Sequence, residues 1–175
     1  MQNTPESTLY DLPSSIQLGN EHYTVTYNED PEEVIKGVTC ITLELNEISE
    51  IADGAIVEVQ KGYHTPIQEV GHSFIAIEQP YTGSGHLLFM RNGETNVNYH
   101  YFNTENNISC PPLFLEPGSL LCWVASSSKD HNLVFAEIIT PRFKAGETFK
   151  EGSEIDPVRF KLMKNAINQL LRIEA

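Results

Sequence analysis

The chain has 175 residues, of which 40% are hydrophobic and 20% charged. That is the size and balance of one globular domain, long enough to bury a core without disulfides or a structural metal. With 11 basic against 24 acidic residues the formal charge is −13, which repels phosphate backbones and anionic lipid and argues against nucleic acid or a membrane surface as partner.

In chain order, residues 1–20 are polar and rich in Ser, Thr and Pro, and read as an N-terminal arm with Leu9, Tyr10 and Leu12 able to lie on the domain. Residues 22–27 alternate, with Tyr23, Val25 and Tyr27 on one face, the period of a strand. Residues 30–37 read as a short helix, with Asp30 as cap, Pro31 in the first turn and Gly37 at the close. Residues 38–45 return to strand, with Thr39, Ile41, Leu43 and Leu45 on one face, and Asn46 opens one helical turn carrying Ile48, Ile51 and Ala52.

Further strands are expected at 55–60, 72–78, 86–91, 95–102, 119–124 and 132–140. Gly83-Ser84-Gly85, Asn92-Gly93, Pro111-Pro112 and Pro117-Gly118 punctuate them, and Asn92-Gly93 predicts a tight hairpin. After these, Asp156 as cap, Pro157 at the first helical position and the stripe Phe160, Met163, Ile167, Leu170 and Leu171 predict an amphipathic helix. Residues 21–150 thus read as one β-domain, and 151–175 as a C-terminal helix packed on it or on a dimer partner.

Cys40, Cys110 and Cys122 make neither a disulfide framework nor a cysteine zinc motif. The opening Met1 to Glu6 has no basic or apolar stretch of a signal peptide, so a cytoplasmic location is expected. Many short strands separated by turn chemistry mean an all-β sandwich or barrel.

The order of signals resembles the cupin superfamily, whose small single-domain members form a jelly-roll barrel, the double-stranded β-helix. Val59-Gln60-Lys61-Gly62-Tyr63-His64-Thr65-Pro66-Ile67-Gln68 resembles the start of the first cupin motif, and Gly83-Ser84-Gly85-His86-Leu87 its closing turn. Leu115-Glu116-Pro117-Gly118-Ser119 resembles the turn opening the second motif, and His131-Asn132 falls where that motif carries its histidine. The resemblance covers roughly residues 55–145. It implies an all-β, RmlC-like barrel with a C-terminal helix, and one divalent transition metal (iron, manganese, nickel or zinc) held by histidines and a glutamate.

The first motif departs from the family. In one register Gln68 and Val70 take the paired-histidine positions; in the other His72 opens the motif, Phe74 replaces the second histidine and Glu78 takes the glutamate position. Both registers turn even-numbered residues inward. The metal set implied is His72, Glu78 and His131, and His64, Gln68, Tyr99, His100 and Trp123 are the expected ligand-pocket residues. Around 95–101, Val97, Tyr99 and Tyr101 share one face and Asn96, Asn98 and His100 the other, which reads as a core face and a wet face, or as a pocket wall.

Two functions follow. One is a metal-dependent oxygenase or isomerase acting on a small polar organic molecule in the barrel. The other is a metal-free, non-catalytic barrel that binds a ligand or serves in assembly, with a homodimer expected in either case.

Overall fold

The computed structural model describes residues 12–106, 111–127, 131–142 and 148–174. The described residues form thirteen strands and one α-helix, besides short 3-10 turns: β1 (Ser15–Leu18), β2 (Glu21–Tyr27), β3 (Glu32–Ile35), β4 (Val38–Leu45), β5 (Asp53–Val59), β6 (Gln68–Glu69), β7 (Ile75–Thr82), β8 (Ser84–Met90), β9 (Asn98–Asn103), β10 (Leu113–Leu115), β11 (Leu120–Ala125), β12 (Leu133–Thr140), β13 (Lys150–Glu151) and α1 (Pro157–Glu174). One sheet runs β1-β2-β4-β5-β12-β7-β10, with β3 added on β4; the other runs β13-β6-β11-β8-β9. All pairings are antiparallel.

Strand alternation sorts the apolar residues into three layers. Val57, Val59, Ala76, Phe135 and Ile139 of the larger sheet meet Leu87, Phe102, Leu121 and Trp123 of the smaller one in the barrel interior. The alternate residues Ile41, Leu43, Leu45, Ile56, Ala136 and Ile138 face outward and are covered by Ile16, Leu18, Tyr23, Val25 and Tyr27. The central strands β5 and β12 of the large sheet are therefore covered on both faces, which is why they read as nearly continuous apolar runs. The third layer joins Leu88, Met90, Leu120, Cys122 and Val124 to Met163, Ala166 and Ile167 of α1, with Phe160, Leu170 and Leu171 at its rim.

The expected helix at 30–37 is a β-hairpin instead: β3 pairs with β4, and Gly37 turns between them at φ 79°. The segment lacks an apolar stripe of helical period, and the adjacent β-branched Val34 and Ile35 favour the extended chain. Glycine is required at 37 because a Cβ there would run into the Tyr63 ring. The Asn92-Gly93 turn forms, with Glu94 N–H donating to the Arg91 carbonyl at 3.0 Å, but it lies within a seven-residue link between β8 and β9 and not in a two-residue hairpin. Of residues 1–20, Leu12 and Ile16 join the outer layer and β1 pairs with β2, whereas Leu9 and Tyr10 lie outside the described residues.

Asp156 caps α1: its Oδ1 accepts from the backbone N–H groups of Val158 (3.1 Å) and Arg159 (2.9 Å). Arg159 then ties the helix to the sheet. Its guanidinium donates to the carbonyls of Glu94 (3.1 Å), Gly118 (3.0 Å) and Arg91 (2.9 Å), with Glu69 at 3.7 Å. Arg159→Ala removes this donor from the Glu94 and Gly118 carbonyls, leaves the Arg91 carbonyl with the Glu94 N–H, and leaves buried Glu69 with Lys150 as its cation among the described residues. We expect a cost of about 2–4 kcal/mol, read from the urea midpoint, with only partial recovery in Arg159→Lys, which lacks the planar fork. A cost under about 0.5 kcal/mol would show that the helix is held by its apolar stripe alone.

Candidate functional site

The interior-facing residues of β12 are Leu133, Phe135, Glu137 and Ile139, so a single charged residue interrupts an apolar face. Glu137 stands directly opposite Glu78 of β7 in the antiparallel register. Paired residues share a face, so the two carboxyl groups lie side by side inside the barrel. Glu78 is completely buried, and its Oε2 accepts from Trp123 Nε1 at 2.7 Å. No donor among the described residues reaches its Oε1.

Burial and the negative neighbour both disfavour ionisation. The Glu78 carboxyl is pushed well above the ordinary range by burial first and the Glu137 charge second, partly offset by the Trp123 bond. Burial likewise raises Glu137, to about 7, although its contact with Glu78 opposes the shift. At neutral pH the pair therefore retains a proton, which supplies the donor that two carboxylates lack.

Beyond Glu137 the sheets part. A cavity of about 460 Å³ is lined by Gln68 of β6, Glu137 of β12, Glu151 of β13, and Thr148, Phe149 and Glu154. On the other side of Glu137 a cavity of about 290 Å³ runs over the inner face of β4 and β5, past Thr42, Asp53 and Ala55 to Arg142. Gln68 Nε2 donates to Glu151 Oε1 at 2.8 Å, and Arg142 Nε to Asp53 Oδ1 at 2.8 Å.

The residues implied by the resemblance do not converge. Of the metal set, only Glu78 is inside. His72 sits in the turn between β6 and β7, exposed, with Nε2 3.1 Å from Lys150 Nζ. His131 lies just before β12, its side chain 67% exposed, 3.6 Å from Glu105. The strand that would have carried His72 inward is broken at 71–74, so alternation does not apply there. Among the described residues no group of three or more His, Cys, Asp or Glu side chains gathers to hold a metal. The one buried carboxylate of the set has its oxygens directed at an indole and a second glutamate, and these side chains do not fit the transition-metal centre of the resemblance.

The pocket residues are likewise scattered. Gln68 lines the cavity between the sheets. His64 borders a separate cleft against α1, and its Nδ1 is 2.7 Å from the Thr65 carbonyl. On β9 the two faces alternate as read, but Tyr99 and Tyr101 point out, at 50% and 41% exposure, while His100 shares the face of buried Phe102. Trp123 is core: 1% exposed, stacked on Phe135 at 4.4 Å and edge-on to Phe102 at 5.4 Å. Sequence reasoning passed over Glu137; the legible signal was a lone carboxylate inside Leu133–Thr140, a strand otherwise apolar along its inner face.

No protein-family model matches the chain, and no curated protein matches it. Solved structures do. Rru_A2000 from Rhodospirillum rubrum, described as a cupin-2 domain, aligns with a TM-score of 0.53 at 15% identity over 86% of this chain and 88% of that one. A point mutant of Bacillus subtilis oxalate decarboxylase OxdC aligns at 0.54 and 12% identity over 70% of this chain. The capsular polysaccharide assembling protein CapF of Staphylococcus aureus aligns at 0.54 and 10% identity over 74%, and CapF has also been solved with the inhibitor 3-isopropenyl-tropolone. This chain spans 30% of the OxdC chain and 32% of the CapF chain. No helix among the described residues is long and apolar enough to cross a membrane. Two facing antiparallel sheets enclosing one core, a C-terminal helix, and these alignments together give the chain the jelly-roll fold of the cupin superfamily.

Proposed function

We propose that this chain is a metal-independent cupin-fold protein that binds a small polar organic molecule at the open end of its barrel, with the Glu78–Glu137 pair as the polar wall of the site. The observation that carries this reading is the placement of Glu137, which links a completely buried carboxyl to a cavity of about 460 Å³ between the sheets. Small-molecule sites are concave, largely apolar, and oriented by a few convergent polar groups. Gln68, Thr148 and Phe149 supply an amide, a hydroxyl and an aromatic ring around the carboxyl group. CapF, of similar fold, has been solved with a small organic inhibitor.

A carboxyl pair holding one proton can also donate and accept it, so proton transfer to a bound substrate is the chemistry available to this site. The reading is tested by titrating the 15N-labelled protein with mixtures of small polar organic molecules. Backbone shifts clustered at Gln68, Thr148, Phe149 and Glu151 are expected, and they should shrink in Glu137→Gln. Shifts confined to the cavity of about 620 Å³ between Ser15, His22, Tyr81 and Pro111 would move the site to the outside of the barrel. One tightly held transition metal per chain in tag-free protein would overturn the metal-independent part.

A further inference from the structure

We propose that the cavity between β6, β12 and β13 is a site for a small organic cation, an alkyl amine whose ammonium group sits against Glu137 and whose carbon chain lies along Phe149. The inference rests on the reading above and names its ligand class.

The lining sets the sign. Among the described residues it is Gln68, Glu137, Thr148, Phe149, Glu151 and Glu154, with three carboxyl groups and no lysine, arginine or histidine. In the adjoining cavity Asp53 and Glu44 add to the charge, and the basic residue there, Arg142, is held by Asp53 and by the Ser49 carbonyl at 2.7 Å. Behind Glu137, buried Glu78 does not line the cavity; its Oε2 is held by Trp123 and its other oxygen faces Glu137 across the proton the pair retains, so Glu137 presents the acceptor that faces the cavity. An ammonium group brings three donors and a charge. Glu137 is half-buried, and a charge beside it interacts more strongly there than beside the exposed Glu151 and Glu154. The Phe149 ring, fixed edge-to-face against Phe74 at 5.2 Å, offers the apolar and cation–π surface that an alkyl ammonium uses.

The same geometry favours an organic cation over a metal ion. The carboxylates do not gather three at a point among the described residues. They are spread around a cavity, with Glu151 already accepting from Gln68 and Glu154 from the Glu151 N–H at 3.3 Å. Donors separated along a carbon chain match that spread, and a single ion does not. The net charge of −13 draws cations toward the protein at long range.

Calorimetric titration with three five-carbon probes tests the class: cadaverine, pentanediol and glutarate, a dication, a neutral diol and a dianion of similar length. Cadaverine is expected to bind one equivalent per chain, at least tenfold more weakly to Glu137→Gln and unchanged to Glu50→Gln, a surface variant that controls for general acidity. Pentanediol or glutarate binding as tightly as cadaverine, with loss in Glu137→Gln, would overturn the cation assignment and leave the cavity reading standing. Cadaverine binding that survives Glu137→Gln would reduce it to diffuse attraction by the acidic surface and overturn the proposal. Binding of none of the three would overturn the proposal and count against the cavity reading as well. Circular dichroism of each variant confirms that a loss of binding is not a loss of fold.

Discussion

Trp123→Ala is expected to cost about 4–8 kcal/mol, most of the stability of an ordinary domain. Two contributions add. Removing the indole leaves a cavity between Phe135 and Phe102, at a position only 1% exposed, and aromatic-to-alanine changes in such cores cost about 3–5 kcal/mol. The Glu78 oxygen that accepted the indole N–H at 2.7 Å then has no donor, in a place water does not reach, for roughly another 1–3 kcal/mol. Trp123→Phe separates them, because it keeps a ring in the stack and removes only the donor. It should cost the smaller amount and raise the Glu78 carboxyl further. The protein has one tryptophan, so wild-type fluorescence reports on this site, and the variants are followed by circular dichroism in urea. A loss below about 1 kcal/mol in Trp123→Ala would mean that the aromatic stack is not the centre of the barrel core.

Much of this architecture was readable from period-two runs and turn residues. The strand at 38–45 was clear from its alternation, and those at 55–60 and 132–140 because they lie between two buried layers and carry apolar residues at most positions. The C-terminal helix was clear from its cap, its proline and its stripe. The first cupin-like motif shows where such reading stops. Val70, Phe74 and Ala76 do turn inward on even numbers, but His72 between them lies in a turn and is exposed. Parity predicts a face only while the backbone stays extended, and nothing in Gly71-His72-Ser73 marks the break beyond a single glycine. The second motif failed for a different reason. His131 lies two residues before Leu133, where β12 begins, and its neighbour Asn132 is the buried member, with Oδ1 accepting from Lys61 N–H at 3.3 Å. The Glu78–Glu137 pair was invisible because it depends on cross-strand register between segments nearly sixty residues apart, which no local pattern encodes.

Stability is expected to fall as pH rises from about 5 to about 8, by on the order of 3 kcal/mol, and Glu137→Gln should remove the part of that slope that Glu137 contributes while the part set by the burial of Glu78 remains. The sign follows from proton binding. In the unfolded chain both glutamates titrate near 4.5; in the fold burial raises both, Glu137 to about 7 and Glu78 in the same direction. Between those values the folded state binds more protons than the unfolded state, so raising pH favours unfolding. The contribution is fully present below about pH 4.5 and is lost as pH passes through the folded-state value. Glu47 acts in the opposite sense: the Thr24 backbone N–H and hydroxyl hold its carboxyl below the ordinary range, so its contribution is present above 4.5 and lost toward acid. The two trends oppose each other across the acid range. Among the described residues the groups facing Glu137 are Glu78, Cys40, Asp53, Glu151 and Glu154, with Arg142 bound to Asp53, and none of these supplies a free positive charge that would reverse the sign. Glutamine at 137 is nearly isosteric, cannot ionise, and can donate its amide N–H to Glu78, so the variant should match wild type near pH 5 and exceed it near pH 8. Urea midpoints across that range decide the matter: parallel curves for the two proteins would mean that the pair ionises without cost and that the barrel interior is wetter than its packing implies.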